Sequence, residues 1–250
     1  MKNWNFKVIL AGDGAVGKTS IRERYMGKGF TGQYLKTIGA DFASKKVQKG
    51  DNNITFQIWD LAGQESYSAV RSAFYKGAAA GLFVFDVQDP NTMSNLRKWI
   101  HEAIESSENS ILVYFIIANK IDLVDKRKVS REMALEFCHR LDVETGIHFY
   151  YCETSALTGQ NIQETFDLLA YKLLEANNEK LDVEYTLPDG IIDVREVMAA
   201  KVPVGENYVS VEEFNELKNK IEALNTRVET LSKKVETLQV IVKKLIEKMK

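Results

Sequence analysis

The sequence is poor in the residues that build disulfide-stapled or metal-held folds. It has 2 cysteines and 3 histidines in 250 residues. Cys138 and Cys152 each sit in an apolar element, which gives no disulfide framework. The scattered histidines form no metal cluster. An excess of one charge is also lacking: 33 Lys and Arg against 35 Asp and Glu leave a net charge of −2. Nucleic-acid binders are more often strongly basic, so no nucleic-acid partner is expected. No apolar run is long enough to span a bilayer. Met1-Lys2-Asn3-Trp4 is no signal peptide, and Lys2 stands where N-myristoylation needs glycine. No cysteine follows Cys152, so no prenyl anchor is expected. The expectation is a cytoplasmic protein that meets a membrane, if at all, from its surface.

What is present is led by Gly12-Asp13-Gly14-Ala15-Val16-Gly17-Lys18-Thr19, which fits G-x-x-x-x-G-K-[ST], the phosphate-binding P-loop. Phe6–Leu10 before it reads as a buried strand, and Ser20–Met26 after it as a helix. Glycines let successive backbone N–H groups converge on one anion, because no Cβ blocks the approach. The helix N-terminus adds partial positive charge. Lys18 is placed to reach the β- and γ-phosphates, and the Thr19 hydroxyl to bind Mg²⁺.

Along the chain, Ala40–Lys49 and Asn53–Asp60 read as a hairpin joined by Gly50-Asp51-Asn52. A loop and a short helix cover 61–76. Ala80–Val87 and Ile111–Asn119 are apolar enough for central strands buried on both faces. Asn91–Ser106, capped by Asn91, and Ser130–Leu141 read as helices. Ile147–Cys152 is the last expected strand and Asn161–Ala176 the last helix of the domain. This alternation predicts an α/β fold, a P-loop NTPase with a mostly parallel six-stranded sheet covered on both faces. Ligands in such folds bind at the carboxyl ends of the strands, where the P-loop lies.

Two further motifs choose the base. Asn119-Lys120-Ile121-Asp122 follows a buried strand. The Asp122 carboxylate can accept from guanine N1–H and from the 2-amino group. Adenine lacks both donors and would leave a buried carboxylate unpaired, at about 1–3 kcal/mol or more. The Lys120 stem can lie along the base plane. Glu153-Thr154-Ser155-Ala156 can offer the Ala156 N–H to guanine O6. In Trp59-Asp60-Leu61-Ala62-Gly63-Gln64-Glu65, Asp60 is placed to hold Mg²⁺, the Gly63 N–H to meet the γ-phosphate, and Gln64 to orient the attacking water.

These motifs make the first 176 or so residues resemble the small GTPases of the Ras superfamily. Ile38-Gly39-Ala40-Asp41-Phe42, Gln57-Ile58-Trp59-Asp60, Phe74-Tyr75-Lys76-Gly77-Ala78 and Val84-Phe85-Asp86-Val87 look most like the Rab branch. The resemblance implies a GTP-hydrolysing switch with GTP, GDP and Mg²⁺ as ligands. It implies partners that exchange the nucleotide, activate hydrolysis or read the triphosphate state. Thr37 then matches the switch threonine that joins Mg²⁺ and the γ-phosphate. Phe30 matches the aromatic beside the base, and Tyr34 the tyrosine over the phosphates. The implied nucleotide set runs through Gly12, Gly14, Ala15, Val16, Gly17, Lys18, Thr19, Ser20, Phe30, Tyr34, Thr37, Gly63, Asn119, Lys120, Asp122, Ser155, Ala156 and Leu157. The implied metal set is Thr19, Thr37 and Asp60, and Gln64 is the catalytic residue. Gly14-Ala15 departs toward a Rho-like loop, and Lys36 replaces the usual proline or small residue before Thr37.

The last third departs most. Residues 177–207 read as a linker, with a turn at Leu187-Pro188-Asp189-Gly190-Ile191 that could close a small hairpin, and a short helix at Asp193–Ala200. Residues 208–250 read as a coiled-coil helix. Phe214, Ile221, Val228, Val235, Val242 and Met249 occupy a; Leu217, Leu224, Leu231, Leu238 and Leu245 occupy d. β-Branched residues at a with leucine at d favour a parallel dimer. A helix folded back on the domain, and an apolar, lysine-rich end lying on an anionic membrane, stay open as alternatives. The rival function is a coiled-coil tether with a static guanine nucleotide, for which Thr37, Gln64 and Gly14 have no use.

Overall fold

The computed structural model describes residues 1–29, 37–64, 68–179 and 185–201. Phe30, Tyr34 and the heptad segment 208–250 lie outside the described residues, so the coiled coil is not tested there. Residues Met1–Lys201 form one compact unit.

The first strand, β1 (Lys2–Ala11), starts earlier than its apolar run because Lys2 to Asn5 pair in parallel with Asn52 to Thr55. Helix α1 (Lys18–Tyr25) follows the P-loop. Strands β2 (Ala40–Lys49) and β3 (Asn52–Leu61) form the expected antiparallel hairpin, with Lys49 opposite Asn52. Then come α2 (Ser68–Tyr75), β4 (Ala80–Asp86), α3 (Pro90–Ser106), β5 (Val113–Asn119), α4 (Arg131–Thr145), β6 (Phe149–Thr154) and α5 (Ile162–Ala176). β4 and β5 are buried throughout, as their apolar sequence requires of central strands.

Alternation along β1 sends Val8 and Leu10 to one face and Ile9 and Ala11 to the other. The first face packs under α1 and α5 through Ile21, Tyr25, Phe166 and Leu169. The second packs under α2, α3 and α4 through Tyr75, Leu96, Ile100 and Leu141. Two layers of helix on one sheet leave the carboxyl ends of β1, β3, β4, β5 and β6 to carry the loops of the site.

Four expectations are corrected. The sheet has seven strands, in the order β2-β3-β1-β4-β5-β6-β7, not six. The seventh, β7 (Ile191–Asp193), pairs antiparallel with β6 and closes an edge that would otherwise expose unpaired N–H and C=O groups. The turn at 187–191 therefore opens a strand of the main sheet, not a separate hairpin. Within the span 177–207 read as a linker, β7 and α6 (Val194–Lys201) belong to the compact unit, with Ile191 and Val194 buried in it, and α6 is the short helix expected at Asp193–Ala200. Finally, α3 is capped by Asp89, whose side chain accepts from the Asn91 N–H, and not by Asn91. Pro90 at the first helical position explains this, since its fixed φ suits the helix start and it has no N–H to satisfy.

Candidate functional site

The P-loop curls around the end of the Lys18 side chain. Ala15 and Gly17 both take positive φ, 64° and 102°, which turns successive amides to one side. A Cβ on Gly17 would lie 2.3 Å from Asn119 Nδ2, so only glycine fits between the loop and β5. The N-cap of α1 is Gly17 and no side chain caps it, which leaves the first-turn amides for a ligand. Lys18 is buried, and its ammonium donates to the carbonyls of Gly12 and Asp13, each at 2.7 Å. Burial lowers its pKa to about 8, against the opposing pull of Asp60 and Asp13.

Three oxygen side chains meet beside Lys18. Thr19 donates to Asp60 Oδ2, Thr37 Oγ1 lies 3.3 Å from the same oxygen, and the two hydroxyls are 3.1 Å apart. Asp60 is fully buried, and its Oδ1 has no hydrogen-bond partner. Burial raises its pKa against the hydrogen bond from Thr19 and the charge of Lys18. An orphaned carboxylate oxygen beside two hydroxyls is a hard-oxygen donor set of the kind Mg²⁺ takes, with room for phosphate oxygens and water. Among the described residues no group of three His, Cys, Asp or Glu side chains could hold a metal. Gly63 lies against the P-loop: a Cβ there would be 2.4 Å from the Gly14 nitrogen.

The base-side motifs converge from β5 and β6. Asn119 is a brace: Nδ2 donates to the Val16 carbonyl at 2.9 Å, and Oδ1 accepts from Thr154 Oγ1 and from the Ala156 N–H, both at 3.2 Å. The Ala156 amide, expected to meet guanine O6, is thus turned to Asn119 in this structure. Ser155 donates to Asp122 Oδ1 at 2.5 Å and fixes that carboxylate. Lys120 takes a left-handed φ of 69° and extends to Asp86 Oδ2 at 2.6 Å.

One cavity of about 1280 Å³ joins these parts. Gly14, Ala15, Gly17, Lys18, Thr19, Ser20, Thr37, Gly63, Gln64, Asn119, Lys120, Asp122, Ala156 and Leu157 all line it. Gly12, Val16, Asp60 and Ser155 stand just behind that wall, acting through Lys18, Asn119, Thr19 and Asp122 respectively.

The sequence reading missed the supports. Arg71 is buried and holds Glu102 through Nε at 3.0 Å and Nη2 at 2.9 Å. Asp13 accepts from Trp99 Nε1 at 2.9 Å and from Asn95 Nδ2 at 2.7 Å, which ties the P-loop to α3. Arg22, also buried, pairs with Asp41 at 2.6 Å and joins α1 to the start of β2. Glu153 is clamped by Arg127 and Arg131. Burial works to raise its pKa, but hydrogen bonds from Arg131 and Arg127 outweigh that and hold it below the usual carboxylate range. No local pattern marks these pairs.

The Ras family profile matches residues 7–175. The chain is 40% identical over 188 residues to Ras-related protein Rab7 of Drosophila melanogaster, covering 74% of this chain and 87% of that one. It is 40% identical over 190 residues to Ras-related protein RABG3f of Arabidopsis thaliana, covering 74% and 88%. It is 37% identical over 195 residues to the Ypt/Rab-type GTPase avaA of Emericella nidulans, covering 76% and 93%.

Proposed function

Because this chain belongs to the Ras superfamily as a Rab-like small GTPase, hydrolysing GTP to GDP, we propose that it is a nucleotide-timed switch in membrane trafficking. Proteins of this family bind GTP or GDP with Mg²⁺ and work with effectors, exchange factors and GTPase-activating proteins. The observation that carries the reading is one cavity lined both by Lys18 and Thr19 of the P-loop and by Asp122 and Ala156 of the base-side motifs.

In this reading the loop amides from Gly14 to Thr19 and the Lys18 ammonium bind the phosphates. Thr19, Thr37 and Asp60 hold Mg²⁺, which when bound neutralises phosphate charge. Gln64 orients the attacking water and the Gly63 N–H meets the γ-phosphate. Asp122, held by Ser155, reads guanine, and the Ala156 N–H reaches O6 only by leaving Asn119 Oδ1, which it bonds in this structure. Catalysis is positioning and charge stabilisation. Arg71, committed to Glu102, is not free to act as an arginine finger, so intrinsic turnover is slow, on the order of 10⁻⁴ to 10⁻² s⁻¹. Residues 208–250 are proposed, on their heptads alone, to join two chains as a parallel coiled coil.

Asp122→Asn tests the base assignment, because an amide can donate where the carboxylate only accepts. The variant is expected to shift from GTP toward XTP; an unchanged preference would show that Asp122 does not read the base. Phosphate release from the parent and from Gln64→Leu separates a switch from a static nucleotide binder. A parent with no turnover favours the tether.

A further inference from the structure

We propose that residues 185–201 are a positioning element of the guanine-reading loop, so that the seating of this arm sets how long nucleotide stays bound. The proposal rests on the assignment of Asp122, Ser155 and Ala156 to the base.

The connection runs through the main chain of Glu153. Its N–H donates to the Gly190 carbonyl at 2.8 Å, and its carbonyl accepts from Asn161 Nδ2 at 2.8 Å. The same Asn161 amide donates to the Asp189 carbonyl at 3.0 Å. Both backbone polar groups of Glu153 are therefore tied to the arm, one directly and one through Asn161. Arg131, which grips the Glu153 carboxylate, also lies 3.6 Å from Asp189 Oδ1. Thr154, Ser155 and Ala156 follow at once in the chain. Thr154 and Ala156 bond Asn119, and Ser155 bonds Asp122. One residue of backbone separates the arm from the groups that fix the base reader.

The arm is seated on both faces of the sheet. Ile191 joins the core under α1 and α5, and Val194 the core under α3 and α4. Tyr185 packs against Tyr171, with centroids 4.6 Å apart, and its hydroxyl donates to the Glu164 carbonyl at 3.2 Å. Arg195 makes two 2.7 Å bonds to Asp142 and a third, at 3.0 Å, to the Gly146 carbonyl. A site whose supporting contacts loosen holds its ligand less well, mainly through faster dissociation. GDP and GTP share the base, so an unseated arm speeds the release of both by the same factor.

The experiment uses the full chain, loaded with fluorescent GDP or a fluorescent non-hydrolysable GTP analogue and chased with unlabelled nucleotide. Arg195→Glu sets two carboxylates against each other and unseats α6. Asn161→Gly keeps the left-handed backbone at φ 56° but cuts the bridge to Glu153. Each is expected to speed release of both nucleotides about tenfold, equivalent to about 1.4 kcal/mol. The charge swap Asp142→Arg with Arg195→Glu restores the parent rate, which a general loss of folding would not allow. Parent rates in both single variants, release of GDP alone speeding up, or no rescue by the swap would overturn the proposal. A parent that binds XDP as well as GDP would instead sink the base assignment and leave the seating of the arm intact.

Discussion

The guanidinium of Arg71 donates through Nη1 to the main-chain carbonyl of Gln64 at 2.6 Å. Its Cζ lies 4.1 Å from the Trp99 ring centroid, and the Trp99 indole N–H bonds Asp13 in the P-loop. Helix α3 thus holds the phosphate loop and the backbone of Gln64 from one surface. Glu102, one helical turn beyond Trp99, completes the hold by pairing with the same guanidinium.

Arg71→Ala is expected to leave nucleotide affinity nearly unchanged, since Arg71 does not line the cavity. It frees the Gln64 carbonyl, and misplacing a positioned group by about 1 Å costs on the order of 100-fold in rate. Single-turnover phosphate release should fall by about tenfold or more. An unaltered rate would show that Gln64 is positioned without Arg71.

Glu153 predicts a pH dependence. Its folded-state pKa is depressed, because the two arginines outweigh burial. The stabilisation is therefore complete above the unfolded-state value near 4.5 and is lost as pH falls below it. Glu153→Gln, which leaves Arg127 and Arg131 without their carboxylate, should cost about 3 kcal/mol at neutral pH. It should also flatten the fall in stability below about pH 4.5. Urea unfolding of parent and variant across that range checks both; parallel curves would mean that the clamp contributes nothing to acid sensitivity.

The heptads predict the state of association. Leu231 is a d position near the middle of the seam. Leu231→Glu would bury a lone carboxylate at a cost of several kcal/mol in a dimer. Analytical ultracentrifugation at micromolar concentration should find a dimeric parent and a monomeric or much weaker variant, both binding nucleotide equally. A monomeric parent would refute the coiled coil.

Legibility in the sequence followed the range of each interaction. The P-loop, Asp60 with Gly63 and Gln64, and Asn119 with Asp122 are contiguous motifs, and the fold brings them to one cavity or, for Asp60, just behind its wall. The supports are pairs far apart in the chain, Asp13 with Trp99 and Arg71 with Glu102, each an ordinary polar residue until the fold joins them. β7 was legible only as one arm of a small local hairpin, because its partner β6 is distant in the chain and no local signal names it. Asp89 was passed over as a cap although it stands directly before Pro90, a helix-start signal that could have found it.

The placement of the indoles gives the protein a built-in optical reporter. Trp59 precedes Asp60 and lies between Phe42 and Phe74, at 5.1 and 5.5 Å, against the segments that change in switches of this family. Trp99 touches Arg71 and Asp13. Trp4 sits at the opposite end of β1 from the P-loop, stacked on Phe6 and bonded to Asn52. At about 3.3 Å per residue, it is some 20 Å from the loop. Its emission is a constant background, so a change in the intrinsic fluorescence of this chain on nucleotide turnover reports the surroundings of Trp59 and Trp99 without any added label.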